Sequence, residues 1–240
     1  MADKRLQALA RLLPDPLGTQ LETHARVVPL RTGQIVMGHQ DSGSDVFAIL
    51  EGSVRVELHS LNGKDIILAD LGPDELFGEF AAIDGEPRSA SVTATSASLL
   101  ARIPGDAFRS AVLGNPETAE WIARRLVTRI RLLTERIFEL NSLAVRSRLH
   151  CELLRLCLEA GVSENRAEIT PVPTHAELAS RIGTHREAVT RELKYLKQTG
   201  VVDQKDRSLA VADVSQLTDI VRAASGDVGV IQRAADLIPD

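Results

Sequence analysis

Residues 77–92, FGEFAAIDGEPRSASV, bring a carboxylate, a guanidinium, hydroxyls and small residues into one short stretch. Together they can make an anion site. Gly78 lets the backbone approach a ligand closely. Glu79 to Ile83 is long enough for one helical turn, whose free N–H groups attract a phosphate. Arg88 can fork onto two phosphate oxygens, and Ser89 supplies a hydroxyl. Glu79 would repel that phosphate and suits a neighbouring hydroxyl, such as a ribose 2′-OH. The alternative is a β-hairpin whose exposed turn, Asp84-Gly85-Glu86-Pro87, carries a surface ion pair between Glu79 and Arg88.

A second constellation spans residues 174–202, THAELASRIGTHREAVTRELKYLKQTGVV. It predicts two helices joined by a tight turn. Thr174 with Glu177 forms a capping box at the first helix, and Gly183 turns the chain at its end. Thr184 is expected to cap the second helix, with Glu187 closing a second box. Ala188, Val189, Leu193 and Leu196 face inward; His185, Arg186, Glu187, Thr190, Arg191 and Lys194 face outward. Such a helix fits the major groove of DNA, where Arg takes O6 and N7 of guanine and Glu accepts from N4 of cytosine. Gly200 to Val211 reads as a wing hairpin, with Lys205 and Arg207 at its tip for phosphates. Glu187 and Arg191, spaced i and i+4, also fit a plain helix-surface pair.

The elements that must hold these groups follow from the rest of the chain. Residues 3–24 are helical in spacing, with Leu6, Leu9, Leu13 and Leu17, and are broken by Pro14 and Pro16. From Ala25 to Ile103, short β-branched runs alternate with turns, as in a β-sandwich or roll. Asn62-Gly63 is the strongest hairpin signal among them. Helix returns at Pro104 and runs from Pro116 to about Val145. There Leu126, Ile130, Leu133, Ile137, Leu140 and Ala144 form a heptad seam. The seam fits a parallel homodimer better than a helix packed on its own domain, since the stripe is narrow and flanked by Arg124, Arg125, Arg129 and Arg131. A hinge is expected near Asn141-Ser142, and a smaller domain begins near Val145. The tail after residue 212 reads as helical, with no assignable role.

The totals set bounds. Net charge is −5 with pI about 5.7, which argues against a wholly basic nucleic-acid surface but not against a local basic face. No apolar run is long enough to span a membrane, and the N-terminus is charged and amphipathic, so a cytosolic location with no membrane partner is expected. Cys151 and Cys157 read as reduced core thiols without metal spacing. No nucleophile motif, metal cluster or P-loop points to an enzyme.

The order and spacing of Gly78, Glu79, Pro87, Arg88, Ser89 and Ala90 resemble the phosphate-binding cassette of cyclic-nucleotide-binding domains. Phe47 to Val54 resembles the strand-turn-strand that precedes it. Arg186, Glu187 and Arg191 reproduce the R-E-x-x-x-R recognition helix of the cyclic AMP receptor protein family of bacterial transcription regulators, the cyclic-nucleotide branch of the CRP/FNR superfamily. The likeness covers roughly residues 20–212. It implies an α+β chain: a cyclic-nucleotide-binding β-roll with an N-terminal helix (1–115), a dimerisation helix and hinge (116–145), a winged helix-turn-helix (146–212) and a helical extension (213–240).

The same resemblance implies a cyclic AMP site of Gly78, Glu79, Phe80, Arg88 and Ser89 with Arg129, Leu133 and Thr134 of the long helix, and a Glu79–Arg129 link. Its DNA contacts would be Thr174, Thr184, His185, Arg186, Glu187, Thr190, Arg191 and Lys205, on a palindrome with TGTGA-like half-sites, with RNA polymerase as a further partner. The hydroxyl of Ser89 leaves cyclic GMP open as a second ligand. An alternative is the same architecture sensing haem or another small effector, with His24, His39, His59 and His150 as the available ligands.

Overall fold

In the computed structural model the described residues are 4–59, 65–205, 208–226 and 229–235. The chain divides into two compact units, Met1–Arg129 and Ile130–Asp240. The long helix crosses that boundary.

In the first unit a 3-10 turn (Lys4–Ala8) leads into α1 (Leu9–Leu12) and α2 (Leu17–Glu22), interrupted at the prolines as expected. Leu6, Leu9, Leu13, Leu17 and Leu21 are all buried in one core with Phe108 and Ile122. The β-branched runs that follow become β1 (Arg26–Leu30), β2 (Ile35–Met37), β3 (Val46–Glu51), β4 (Val54–His59) and β5 (Asp65–Leu71). After them come β6 (Leu76–Phe77), α3 (Glu79–Asp84), β7 (Ser91–Ala94), β8 (Ser98–Ile103) and α4 (Gly105–Leu113).

The strands form two four-stranded sheets, ordered β1-β8-β3-β6 and β2-β7-β4-β5. Antiparallel pairing throughout gives the roll predicted from alternating runs and turns. The faces between the sheets bury Ile49, Val54, Val92 and Leu100, with Phe47 stacked on Phe77 at 5.3 Å between ring centres. β4 and β5 pair antiparallel as in a hairpin, from Val54 opposite Leu71 to His59 opposite Asp65, with a register shift between Val56 and Glu57. The Asn62-Gly63 turn predicted between them lies outside the described residues.

α5 (Pro116–Ser142) begins on the first unit, where Ile122 is buried and Trp121 and Leu126 pack on its core. Leu126, read as part of the seam, is therefore used by its own domain. Farther along, Ile130, Leu133, Ile137 and Leu140 are exposed, as are Val127 and Phe138 beside them. The helix ends at Ser142, and α6 (Val145–Ala160) starts after an extended Ala144.

The second unit continues with β9 (Ala167–Ile169), α7 (His175–Ile182), α8 (Arg186–Gln198), β10 (Val202–Lys205), β11 (Ser208–Val211), α9 (Val214–Ser225) and α10 (Gly229–Ala235). β10 and β11 form the expected wing hairpin, joined by β9 on the other edge of β11. Arg207 and the Lys205 side chain at its tip lie outside the described residues. The tail does not stand apart in its packing: Val214, Leu217, Val221, Val230, Ile231 and Ala234 share one core with Leu149, Leu153, Leu178 and Val189. Cys151 and Cys157 are both buried there as free thiols.

Candidate nucleotide cassette and nucleic-acid interface

Gly78 holds the cassette together through its backbone. Its φ of 86° lies in the left-handed region, which costs a residue with a Cβ. A Cβ there would stand 2.8 Å from the Asp45 carbonyl oxygen and 2.9 Å from Arg88 Nη1. α3 starts on the next residue with Glu79 and stops at Gly85, also left-handed, so both glycines fix its length.

Arg88 does not make the surface pair with Glu79 that a simple hairpin turn would. Its side chain is 4% exposed and donates to two main-chain carbonyls, Gly78 at 2.9 Å and Asp45 at 2.7 Å. Its backbone is fastened as well: the Arg88 amide donates to Asp41 and its carbonyl accepts from Gln40. Burial lowers the guanidinium's proton affinity, and Asp45, Asp41 and Glu79 oppose that effect. Arginine remains a cation under such shifts. Beside it lies a groove of about 530 Å³ lined by Met37, Asp41, Phe47 and Arg102 among others; of the cassette residues, Arg88 alone lines it. Ser89 and Phe80 are exposed.

Glu79 is half-buried, and burial pushes its carboxyl above the usual carboxylate range. Its own amide and the charges of Arg125, Arg129 and Arg88 pull the other way, with Arg125 the strongest of the three. The expected Glu79–Arg129 link is a through-space attraction: among the described residues Arg129 makes no hydrogen bond or ion pair with Glu79. Arg125, one helical turn earlier, is the arginine with a direct bond next to the cassette, from Nη2 to the Leu76 carbonyl at 2.8 Å. It sat in the sequence among the arginines flanking the seam, and only its distance to β6 sets it apart.

Leu133 and Thr134 belong to the second unit. Both are exposed, and the Thr134 hydroxyl donates to the Ile130 carbonyl of its own helix at 2.9 Å.

The helix-turn-helix is built from local signals. Thr174 accepts from the Glu177 amide and Glu177 from the Thr174 amide, a complete capping box. Gly183 takes a φ of 64° and the Thr184 amide closes back on the Ala179 carbonyl at 3.0 Å, a Schellman closure. That closure corrects one expectation. With Thr184 committed to the end of α7, α8 begins at Arg186 with His185 as its cap residue, and no side-chain cap bond or second box forms. Arg186, Glu187, Thr190, Arg191 and Lys194 lie on the exposed face of α8, while Val189, Leu193 and Leu196 are buried. Thr190 also bonds His175 Nδ1 at 2.8 Å, tying α8 to the start of α7.

No helix among the described residues is long and apolar enough to cross a membrane, and none of their His, Cys, Asp and Glu side chains cluster to hold a metal ion. Of the histidines considered as haem ligands, His150 is buried against Glu192 at 2.8 Å and His59 bonds Asp65 at 2.8 Å.

Residues 27–115 match the family described as cyclic nucleotide-binding domain, and residues 147–220 the family described as Crp-like helix-turn-helix domain. A cyclic AMP receptor protein of Thermus thermophilus is 30% identical over 190 residues, covering 78% of this chain and 84% of that protein. A CRP-like cAMP-activated global transcriptional regulator of Mycobacterium tuberculosis is 27% identical over 186 residues, covering 77% and 83%. Among solved structures, FixK2 from Bradyrhizobium japonicum shares the fold with a TM-score of 0.73 at 17% identity, over 84% of this chain and 99% of its own.

Proposed function

We propose that this chain, which belongs to the CRP/FNR superfamily of transcription regulators, is switched by cyclic AMP and reads a palindromic operator as a parallel homodimer. Its coarse identity as a regulator with a cyclic-nucleotide-binding domain and a DNA-binding helix-turn-helix follows from the family. The single observation that carries the finer reading is the cassette: Arg88 docked at the Gly78 carbonyl, with α3 and the exposed Ser89 alongside. In this reading the cyclic phosphate takes the Arg88 guanidinium, the first amides of α3 and Ser89. Glu79, whose carboxyl burial raises against the pull of three arginines, accepts the ribose hydroxyl. Phe80, Arg129, Leu133 and Thr134 complete the site. The exposed apolar stripe of α5, from Ile130 to Leu140, supports the pairing of two subunits.

The DNA face is Arg186, Glu187 and Arg191 on α8, with Thr174, Thr184, His185, Thr190 and Lys205 at its margins, on half-sites resembling TGTGA. Nucleotide can favour the DNA-binding arrangement only by its differential affinity for the two states. RNA polymerase is the further partner.

Calorimetric titration with cyclic AMP and cyclic GMP, each followed by a shift assay on palindromic DNA, tests this function. Binding of cyclic AMP by the protein, its loss in Arg88→Ala, and cyclic AMP-dependent retardation of the palindrome are expected. Normal nucleotide binding by Arg88→Ala would reject the site, and activation by haem alone would move the effector elsewhere.

A further inference from the structure

Beyond residue 130 the long helix α5 has two different faces. One is the exposed stripe of Ile130, Leu133, Ile137 and Leu140. The other, on the far side of the helix, carries Glu135 and Glu139. Glu139 is buried and pairs with Arg155 of α6. Glu135 is taken by the tail. Arg233 of α10 donates to its two carboxylate oxygens, through Nη1 at 3.3 Å and Nη2 at 3.1 Å, a bidentate clasp. Gly229, which opens α10, leaves that carboxylate its room, since a Cβ there would collide with it. Val230, Ile231 and Ala234 of the same short helix are buried in the core around Leu149 and Leu153 of α6. So α10 holds α5 by one charged residue and the DNA-binding fold by three apolar ones. It lies wholly after residue 220, where the helix-turn-helix match ends.

We propose that α10 is a strap that fastens the DNA-binding fold to the long helix, with Arg233 as its positioning residue, so that a change in α5 is passed on to α8. Its bearing on nucleotide control rests on the reading of the chain as a nucleotide-switched regulator. The covalent joint is short: α5 ends at Ser142 and α6 starts at Val145, with Ala144 extended. A joint of this kind absorbs backbone rotation, and movement of α5 is lost there unless the two sides are also held elsewhere. Arg136 and Glu139 pair with α6 near the joint. Glu135 is the attachment next to Leu133 and Thr134, about 10 Å along the helix from its end. The strap therefore grips the turn that the nucleotide is read as touching.

The test is a shift assay of the full chain on its palindrome, with and without cyclic AMP, comparing Arg233→Gln and Gly229→Ala with the unmodified protein. The readout is the ratio of the two DNA affinities. Each variant breaks the same clasp by a different route, and each should lower the ratio by about two- to fivefold, the size of a partly exposed ion pair. By reciprocity, DNA should raise the affinity for cyclic AMP less by the same factor. An unchanged ratio in either variant would overturn the proposal. So would an equal loss of DNA affinity with and without nucleotide, which is what a purely structural contact gives. Hydrogen exchange without any ligand supplies a second readout: the α5 amides of residues 133–142 should exchange faster in Arg233→Gln. Unchanged exchange there would overturn the strap. An unmodified protein whose DNA binding ignores cyclic AMP would refute the nucleotide reading, and the exchange measurement would then decide the strap alone.

Discussion

Arg181 on α7 donates through Nη1 to the Glu152 carboxylate on α6 at 3.0 Å, with side chains only 10% and 1% exposed. Glu152 also receives Arg136 of α5 at 2.6 Å and Arg155 at 2.9 Å, and the equally buried Glu139 pairs with Arg155 and Arg136. Two buried carboxylates and three arginines thus join the end of the long helix to the first helix of the DNA-binding fold and to the helix-turn-helix. Each charge is tolerable only because the others are present.

That arrangement predicts an acid limit to stability. Burial alone would raise the Glu152 carboxyl, but Arg136, Arg155 and Arg181 hold it down at about 2, against 4.5 when unfolded. Its folded value is depressed, so its contribution is complete above the unfolded value. It is lost as pH falls from there toward the folded one. Glu152→Ala should cost about 3–5 kcal/mol at neutral pH by leaving buried arginines uncompensated. Urea unfolding followed across the acid range checks both.

His150 gives the second pH prediction. Burial lowers its pKa below 6.5, and the hydrogen bond that its ring donates to Glu192 opposes the shift. The folded state therefore favours the neutral ring. Stability from this group is present above 6.5 and declines as pH falls below it toward the folded value. An NMR titration should place the His150 midpoint below 6.5, and Glu192→Gln should lower it further.

Gly78→Ala should destabilise the N-terminal unit by about 1–3 kcal/mol, because a Cβ is strained at this φ and collides with the Asp45 carbonyl. Arg88 Nη1 lies in the same path, so nucleotide affinity should fall with it. Chemical denaturation and calorimetry on one preparation separate the two losses. Wild-type stability would show that the loop relaxes freely.

Both thiols should be inert in the folded protein. Burial raises Cys151 and Cys157 to about 12 each, leaving almost no thiolate at neutral pH. A colorimetric disulfide reagent should label neither until denaturant is added, and both thereafter. Rapid labelling of either in the native protein would contradict the packing of α6.

Arg186→Ala should weaken binding to the cognate palindrome by about 1–3 kcal/mol while leaving nucleotide affinity intact. Equal losses on cognate and random DNA would assign Arg186 to phosphate rather than to a base edge.

Much of this molecule is written in runs of a few residues. The Thr174–Glu177 box, the glycine stop at Gly183 and the alternation of strands were legible because their partners lie within a turn or a hairpin. Local signals also failed locally: Thr184 has the type of a cap, yet the chain spent its amide closing α7 and left the cap position to His185.

The amino-acid order by itself determined the two motifs, the helical stripe on α5 and the succession of helical and strand-rich stretches, since periodicity and capping depend on near neighbours. Tertiary structure alone decided what the charged side chains do. Arg88 reaches the Asp45 carbonyl across 43 residues, Arg125 the Leu76 carbonyl across 49, and Arg181 the Glu152 carboxylate across 29. Arg125 and Arg129 have the same side chain one turn apart, and no pattern distinguishes them. What does is which of them the folded roll places within hydrogen-bond reach of β6, because such a bond is gained only over the last few tenths of an ångström.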